Sequence, residues 1–190
     1  IGQKGNGGHA HNDQLSFELA VKGISMIIDP GTYVYTPIPN ARRHFRSTAM
    51  HNTLAIEGKE QNEDQGLFKM ADRANAKVIR FEEGVFVGEQ GGFGSVHRRT
   101  LRISEKAIEG IDECEGEKRI YFHFAPGWKG TPVSATSTEW VLGTLKILIV
   151  SEGACSLTDS EYSKAYGEKQ TAVRLMVKSS SPRVAWKISL

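Results

Sequence analysis

From Leu15 to Val21 the apolar residues alternate strictly, with Leu15, Phe17, Leu19 and Val21 on one parity and Ser16, Glu18 and Ala20 on the other. A period of two predicts a half-buried β-strand. Carried backwards without a break, the same parity takes in His9, His11 and Asp13. Three ionisable groups would then point where the core side chains point, and each would need a partner there. A metal ion is one partner that serves two imidazoles and a carboxylate together. The strand reads as the wall of a site.

Strand signals recur along the chain. Ile24 to Ile28 reads as a second strand after the tight Lys22-Gly23 connection, and Asp29-Pro30-Gly31-Thr32 has the chemistry of a type II turn. Tyr33 to Tyr35 is expected to be extended, Thr36 to Ser47 to be a loop, and Asn52 to Ile56 to be a short strand. Further strands are predicted near 76–81, 85–90, 95–103, 107–113, 119–124, 139–142, 145–150, 172–177 and 184–188, most of them punctuated by Gly, Asp or Ser. Within 119–124, Ile120, Phe122 and Phe124 alternate with Tyr121 and His123. No window carries a helical period over three turns. The pattern predicts an all-β fold, a two-sheet antiparallel β-sandwich, with residues 1–190 as a single domain.

Composition narrows the function classes. With 24 basic and 22 acidic residues the net charge is +2, too even for a nucleic-acid surface, so an anionic partner must be recognised locally. No apolar run approaches the length of about 18 residues that spans a membrane. Four glycines between Gly2 and Gly8 predict a loop. Cys114 and Cys155 are the only cysteines, which is no disulfide framework; two free thiols are as compatible with the sequence as one bridge.

Candidate ligands gather in the first third: His11, Asp29 at the turn, and His51. Two imidazoles and a carboxylate leave an open position, as catalytic zinc sites do. The same stretch also meets the order of an iron facial triad, through His11, Asp13 and His51. Such oxygenases need an arginine about ten residues after the last His, where this chain has Gln61, and the next arginine is Arg73. A cupin site would want a glutamate where Leu15 and Ser16 stand. Between Asp29 and His51 runs the basic segment Arg42-Arg43-His44-Phe45-Arg46. Guanidinium forks suit carboxylate and sulfate groups. Arg46 is the better anion-binding candidate, and Arg42 and Arg43 read as a solvated, flexible loop.

Three ordered motifs carry a resemblance: Gly-Gly-His-Ala-His-Asn-Asp-Gln-Leu-Ser-Phe-Glu-Leu from Gly7, Ile-Asp-Pro-Gly-Thr-Tyr-Val-Tyr from Ile28, and Phe-Arg-Ser-Thr-Ala-Met-His-Asn-Thr from Phe45. Together they resemble the heparinase II/III-like polysaccharide lyase family. The likeness is sharp from Gly7 to Gln61 and looser at Phe122 to Gly127 and at Tyr166-Gly167. It implies a β-sandwich that follows an (α/α) toroid domain, with the active site in the cleft between them. It implies zinc on His11, Asp29 and His51, a catalytic His9 facing the substrate, and substrate contacts from Arg46, Tyr35 and Asn52. The implied activity is β-elimination on uronic-acid polysaccharides, glycosaminoglycan- or alginate-like, in the periplasm or outside the cell. The implied partners are the anionic polysaccharide and the toroid, which also supplies a catalytic tyrosine, so this chain alone is expected to be inactive. A non-catalytic carbohydrate-binding sandwich is the remaining alternative.

Overall fold

The computed structural model describes residues 5–190. The expected glycine loop is therefore seen from Gly5 onward, and its first residues lie outside the described ones. The chain opens with a hairpin of β1 (Leu19–Val21) and β2 (Ile24–Ile27), then a two-turn helix α1 (Pro39–Arg46) and a 3-10 turn over Thr48–Met50. There follow β3 (Leu54–Ala55), β4 (Glu63–Asp64), β5 (Met70–Ala71), β6 (Lys77–Glu82), β7 (Val85–Gln90) and β8 (His97–Ile103). The remainder is strand after strand: β9 (Ala107–Glu113), β10 (Lys118–His123), β11 (Lys129–Ser134) and β12 (Ser137–Leu142). The last are β13 (Leu145–Ser151), β14 (Ala154–Tyr162), β15 (Gln170–Ser179) and β16 (Arg183–Ser189).

Two antiparallel sheets face each other, as expected. The larger has eight strands in the order β11-β12-β13-β16-β9-β8-β7-β6; the smaller has the order β14-β15-β10-β3. The β1–β2 hairpin prolongs the smaller sheet, since Ile27 bridges Phe124 just beyond β10. Alternate residues of both sheets fill the space between them. Trp186 stacks on Phe17 and meets the edge of Phe122, while Phe124 lies flat on Trp140. Gly110 has to be glycine: a Cβ there would stand 2.1 Å from the Trp186 indole.

One ionic cluster lies within this apolar layer. Asp112 is wholly buried and accepts from His97 Nε2 at 2.7 Å, Arg99 Nε at 2.8 Å and Trp186 Nε1 at 2.8 Å. Burial by itself would raise the Asp112 carboxyl, but the Arg99 charge and the His97 bond outweigh it and hold it well below the usual range. Arg99 also reaches outward, donating to the carbonyls of Leu15 at 2.9 Å and Asn52 at 2.6 Å. It thereby ties the large sheet to the loops at the front of the molecule.

β10 is buried on both faces. Ile120 and Phe122 enter the core; Tyr121 and His123 turn the other way and are covered as well. The cover is the segment around Thr48–Met50: His123 Nε2 bonds the Ala49 carbonyl at 3.0 Å, and Arg174 lies over Tyr121 and donates to the same carbonyl at 2.9 Å. Burial, with the Arg174 charge, pushes the His123 imidazole down to about 3.

Several expectations are corrected. Strand β1 begins only at Leu19, because Leu15 adopts φ 63 and Ser16 N closes a turn on the Asp13 carbonyl at 3.0 Å. The parity that put His9, His11 and Asp13 on a core face does not exist, since these residues lie in a loop. Tyr33, at φ 63, likewise breaks the extended run expected there. The expected loop 36–47 contains α1, started by Pro39 at its first turn, a position where the missing N–H costs nothing. Two turns are too short to show a three-turn period. Strands β11 and β14 were not expected: β11 is an edge strand holding Gly130 and Pro132, and β14 is a mixed polar run. Cys114 and Cys155 are free thiols.

Replacing Asp112 with Asn should leave a buried guanidinium without its counter-charge and cost about 3–5 kcal/mol in urea unfolding; a loss under about 0.5 kcal/mol would show the cluster to be inert. A second outcome follows from His123. Below about pH 6.5 the unfolded chain takes up a proton that the folded imidazole refuses until about pH 3, so stability falls as pH drops through that window. His123→Gln should flatten the slope, and an unchanged slope would contradict this.

Candidate functional site

The front of the smaller sheet is dressed by irregular backbone, and each turn of it is pinned by a buried side chain. Arg46 is the main peg. Its guanidinium donates to the carbonyls of Ala10 at 3.0 Å, Gly66 at 3.1 Å, Leu67 at 3.2 Å and Gly7 at 3.3 Å. Its own carbonyl accepts Asn12 N at 2.9 Å. A buried cation committed to four carbonyls, with Asp64 Oδ1 3.7 Å from its Nη1, fastens the histidine loop and already has its anion within this chain.

Asn52 is engaged in the same way. Its amide donates to the carbonyls of Phe17 at 3.0 Å and Ile28 at 2.9 Å, and its oxygen accepts His123 N at 2.7 Å. The substrate contact expected of Asn52 would need a donor that this side chain already uses. Glu60 completes the frame, with one carboxylate oxygen accepting from Asn12 Nδ2 at 3.0 Å, Thr48 N at 2.7 Å and Thr48 Oγ1 at 2.6 Å. Gln61, where an oxygenase would need its arginine, is buried and clamps Gln14 through bonds of 2.8 and 3.0 Å.

Within this frame His11, Asp29 and His51 are brought together. Asp29 accepts His51 Nδ1 at 2.9 Å on one oxygen and Gly31 N at 2.7 Å on the other. Gly31 carries the positive φ of 86 that the expected turn requires, and a Cβ there would stand 2.2 Å from the Ser163 carbonyl oxygen. Burial would raise the Asp29 carboxyl; the bond and charge of His51 and the Gly31 amide reverse this and hold it low. His51 is wholly buried, with its ring centroid 5.1 Å from that of His11. Its Nδ1 is the atom that meets Asp29, and its buried Nε2 has no hydrogen-bond partner among the described residues.

His11 meets a different group. Arg42 Nη1 donates to its Nε2 at 2.9 Å, and Thr32 Oγ1 lies 3.2 Å from the same nitrogen. A guanidinium only donates, so this nitrogen holds the lone pair and the proton sits on Nδ1. Burial, then the charges of His51 and Arg42, push the His11 imidazole down to about 3. Arg42, read from the sequence as solvated, is wholly buried against His11 and under the Tyr35 ring. Its place was legible only through the helix: Arg42, Phe45 and Arg46 form the buried stripe of α1.

The remaining expected residues stand further out. His9 is exposed and meets Tyr35 edge-on, centroids 5.3 Å apart. Asp13 accepts from Gln14 Nε2 at 3.2 Å and forms part of a groove of about 370 Å³ with Gln14 to Glu18 and Asp29. A larger hollow of about 490 Å³ beside Val96 and Cys114 gathers no imidazole and lies apart from these loops.

The donor set, two imidazoles and a carboxylate, suits zinc in kind. As the side chains stand, no three His, Cys, Asp or Glu among the described residues surround a common point. His11 turns its lone pair to Arg42, and Asp29 to His51. Binding a metal would require both contacts to reopen.

A family model described as "Heparinase II/III-like, C-terminal" matches residues 1–189. No curated protein matches the chain. Among solved structures, a heparinase III with methylated lysines superposes with a TM-score of 0.77 at 16% identity, over 95% of this chain and 30% of its own. The heparan sulfate lyase HepC from Pedobacter heparinus superposes with a TM-score of 0.77 at 17% identity, over 95% of this chain and 31% of its own. The chain thus spans under a third of the length of these proteins, and the likeness is one of fold. On the family match, the chain belongs to the heparinase II/III-like C-terminal family.

Proposed function

We propose that this chain is the β-sandwich portion of a polysaccharide lyase that cleaves uronic-acid polysaccharides by β-elimination. Family membership supports the reading, as does the fold shared with a heparan sulfate lyase. Because the chain spans 31% of that lyase, there is room for a further domain, which we take to be an (α/α) toroid closing a cleft over the histidines. The carrying observation is how the three histidines differ in burial: His51 wholly buried on Asp29, His11 nearly so, and His9 exposed against Tyr35. A polymer substrate places the enzyme in the periplasm or outside the cell.

In a β-elimination a base takes the proton from C5, the electron pair forms the C4–C5 double bond, and the C4–oxygen bond breaks as the leaving oxygen gains a proton. His9 is the imidazole of this chain that reaches solvent in the histidine loop, and we assign it to proton transfer at the sugar. Tyr35 fixes its ring by an edge-on contact. Behind it, burial, then the charges of His51 and Arg42, keep His11 neutral, and the bond to Asp29 orients the His51 ring. Zinc would be held by His11, Asp29 and His51, where it would supply a fixed positive charge and a cross-link between three loops.

Two experiments test this. Elemental analysis should find zinc in the wild type and in Asp13→Ala, but not in Asp29→Ala or His51→Ala; loss only from Asp13→Ala would sink the assignment. Chelation should also lower the melting temperature, since a ligand of the folded state stabilises it by mass action. In the complete protein, His9→Ala should reduce turnover by about 10² to 10⁴-fold, followed by ultraviolet absorbance of the unsaturated uronate, with zinc content unchanged. Full activity in His9→Ala, or robust cleavage by the isolated 190-residue chain, would contradict the roles given.

A further inference from the structure

Three aromatic rings from three separate loops line up beside His9. Phe68 comes from the β4–β5 turn, Tyr35 from the segment after the Asp29 turn, and Tyr166 from the β14–β15 connection. Phe68 and Tyr35 are nearly parallel at 26° with centroids 6.2 Å apart; Tyr35 and Tyr166 are nearly parallel at 23° with centroids 5.8 Å apart. The outer two are open to solvent, Phe68 at 47% and Tyr166 at 61% exposed. Large apolar surface left exposed in a row has a cost unless something covers it.

Each ring is also held from beneath. The Phe68 turn rests on Arg46 through the Gly66 and Leu67 carbonyls. The Tyr166 turn is latched by Gly167 N on the Tyr33 carbonyl at 2.7 Å and by Ser163 N on the Pro30 carbonyl at 2.8 Å. Under the middle ring lies the Arg42 guanidinium, 5.0 Å from its centroid. Arg42 is wholly buried and forms no ion pair among the described residues, and its Nε has no hydrogen-bond partner. Asp64 acts on it only from beyond ion-pair distance, and a buried guanidinium held by one imidazole and by the Gly8 carbonyl at 3.3 Å favours an anion arriving above it.

We infer that Phe68, Tyr35 and Tyr166 form a stacking subsite for a uronic-acid oligosaccharide, with Arg42 beneath selecting anionic over neutral sugars. Pyranose rings present flat C–H faces that pack on aromatic planes, and the row leads to His9, whose ring touches the middle one. The inference rests on the lyase reading for the choice of sugar. It adds that affinity for the chain beyond the cleaved bond is set on this sandwich.

The test uses the complete protein. Phe68→Ala and Tyr166→Ala should each raise KM for heparan sulfate about tenfold while kcat stays near wild type. The ring-preserving changes Phe68→Tyr and Tyr166→Phe should retain the wild-type KM. Calorimetric titration with a heparan sulfate hexasaccharide should show the same loss, and a neutral maltohexaose should not bind. If unsaturated product forms as usual and neither alanine variant moves KM or hexasaccharide affinity, the subsite is overturned and the lyase reading stands. If the wild type yields no unsaturated product, the lyase reading fails, while hexasaccharide binding still judges the subsite. Equal binding of maltohexaose would overturn the role of Arg42. A lower melting temperature with kcat and KM both damaged, and no retention in the ring-preserving variants, would make the row a seam between domains and overturn the subsite.

Discussion

One buried amide, Asn52, governs how this sandwich presents a site. It stands next to His51 and uses every polar group it has: its Nδ2 joins the Phe17 and Ile28 carbonyls, its Oδ1 takes the His123 amide, and its carbonyl takes Arg99. Its own amide donates to Ser16 Oγ at 3.0 Å. These partners belong to the histidine loop, the end of β2, the end of β10 and the large sheet. Irregular backbone over a buried strand is tolerable only when its N–H and C=O groups find partners. Asn52, Arg46 and Glu60 supply them where no strand can, and so fix where His11, Asp29 and His51 meet.

The division of labour between charged side chains follows from the same constraint. Arg46 and Arg42 lie on one face of α1, one turn apart, and both are buried. Arg46 ends among carbonyls, whose oxygens disperse its charge. Arg42 ends against an imidazole, an aromatic face and one carbonyl, that of Gly8 at 3.3 Å, and its Nε stays unpartnered. Burial, then the charges of His51 and Arg42, keep His11 neutral, and the guanidinium leaves positive potential at the front of the molecule. The Nε2 of His51 is likewise incomplete, a buried ring nitrogen with no hydrogen-bond partner among the described residues. A buried imidazole nitrogen without a partner beside a carboxylate suits a cation, and a guanidinium with an unpartnered Nε suits an anion. Both lie within one loop system.

The regular half of the fold was legible because its rule is local. A two-residue period needs only neighbours, and β8, β13 and β16 alternate in burial along most of their length. What escaped the sequence depends on distant contacts. Strand β11 is held at the sheet edge by β12 despite Gly130 and Pro132, and α1 is stabilised by docking Phe45 and its two arginines, too few residues to show a period. At the site, His51 bonds Asp29 and lies beside His11, without the three surrounding a common point. The roles of Arg46 and Asn52 were not legible, since a side chain turned to carbonyls looks in sequence like one turned to a ligand. Arg42 was misread for the converse reason, a charged residue buried by a helix that the pattern did not reveal.

Backbone strain is distributed to match. Lys22-Gly23 and Glu83-Gly84 take positive φ inside two-residue hairpins, where the twist of the strands demands it. Leu15 and Tyr33 take it with no such excuse, at φ 63 each, and both are bulky. One follows the histidine loop and the other follows the Asp29 turn. Each is held by a long-range bond, Arg99 to the Leu15 carbonyl and Gly167 to the Tyr33 carbonyl. A chain relaxing Leu15 into the β region would continue the alternating strand backwards and carry His11 away from His51. The strained residue turns a strand into a loop, and the Asp112–Arg99 cluster in the core of the sandwich holds it there. The regular sheets are therefore part of the site, through the arginine that joins them to it.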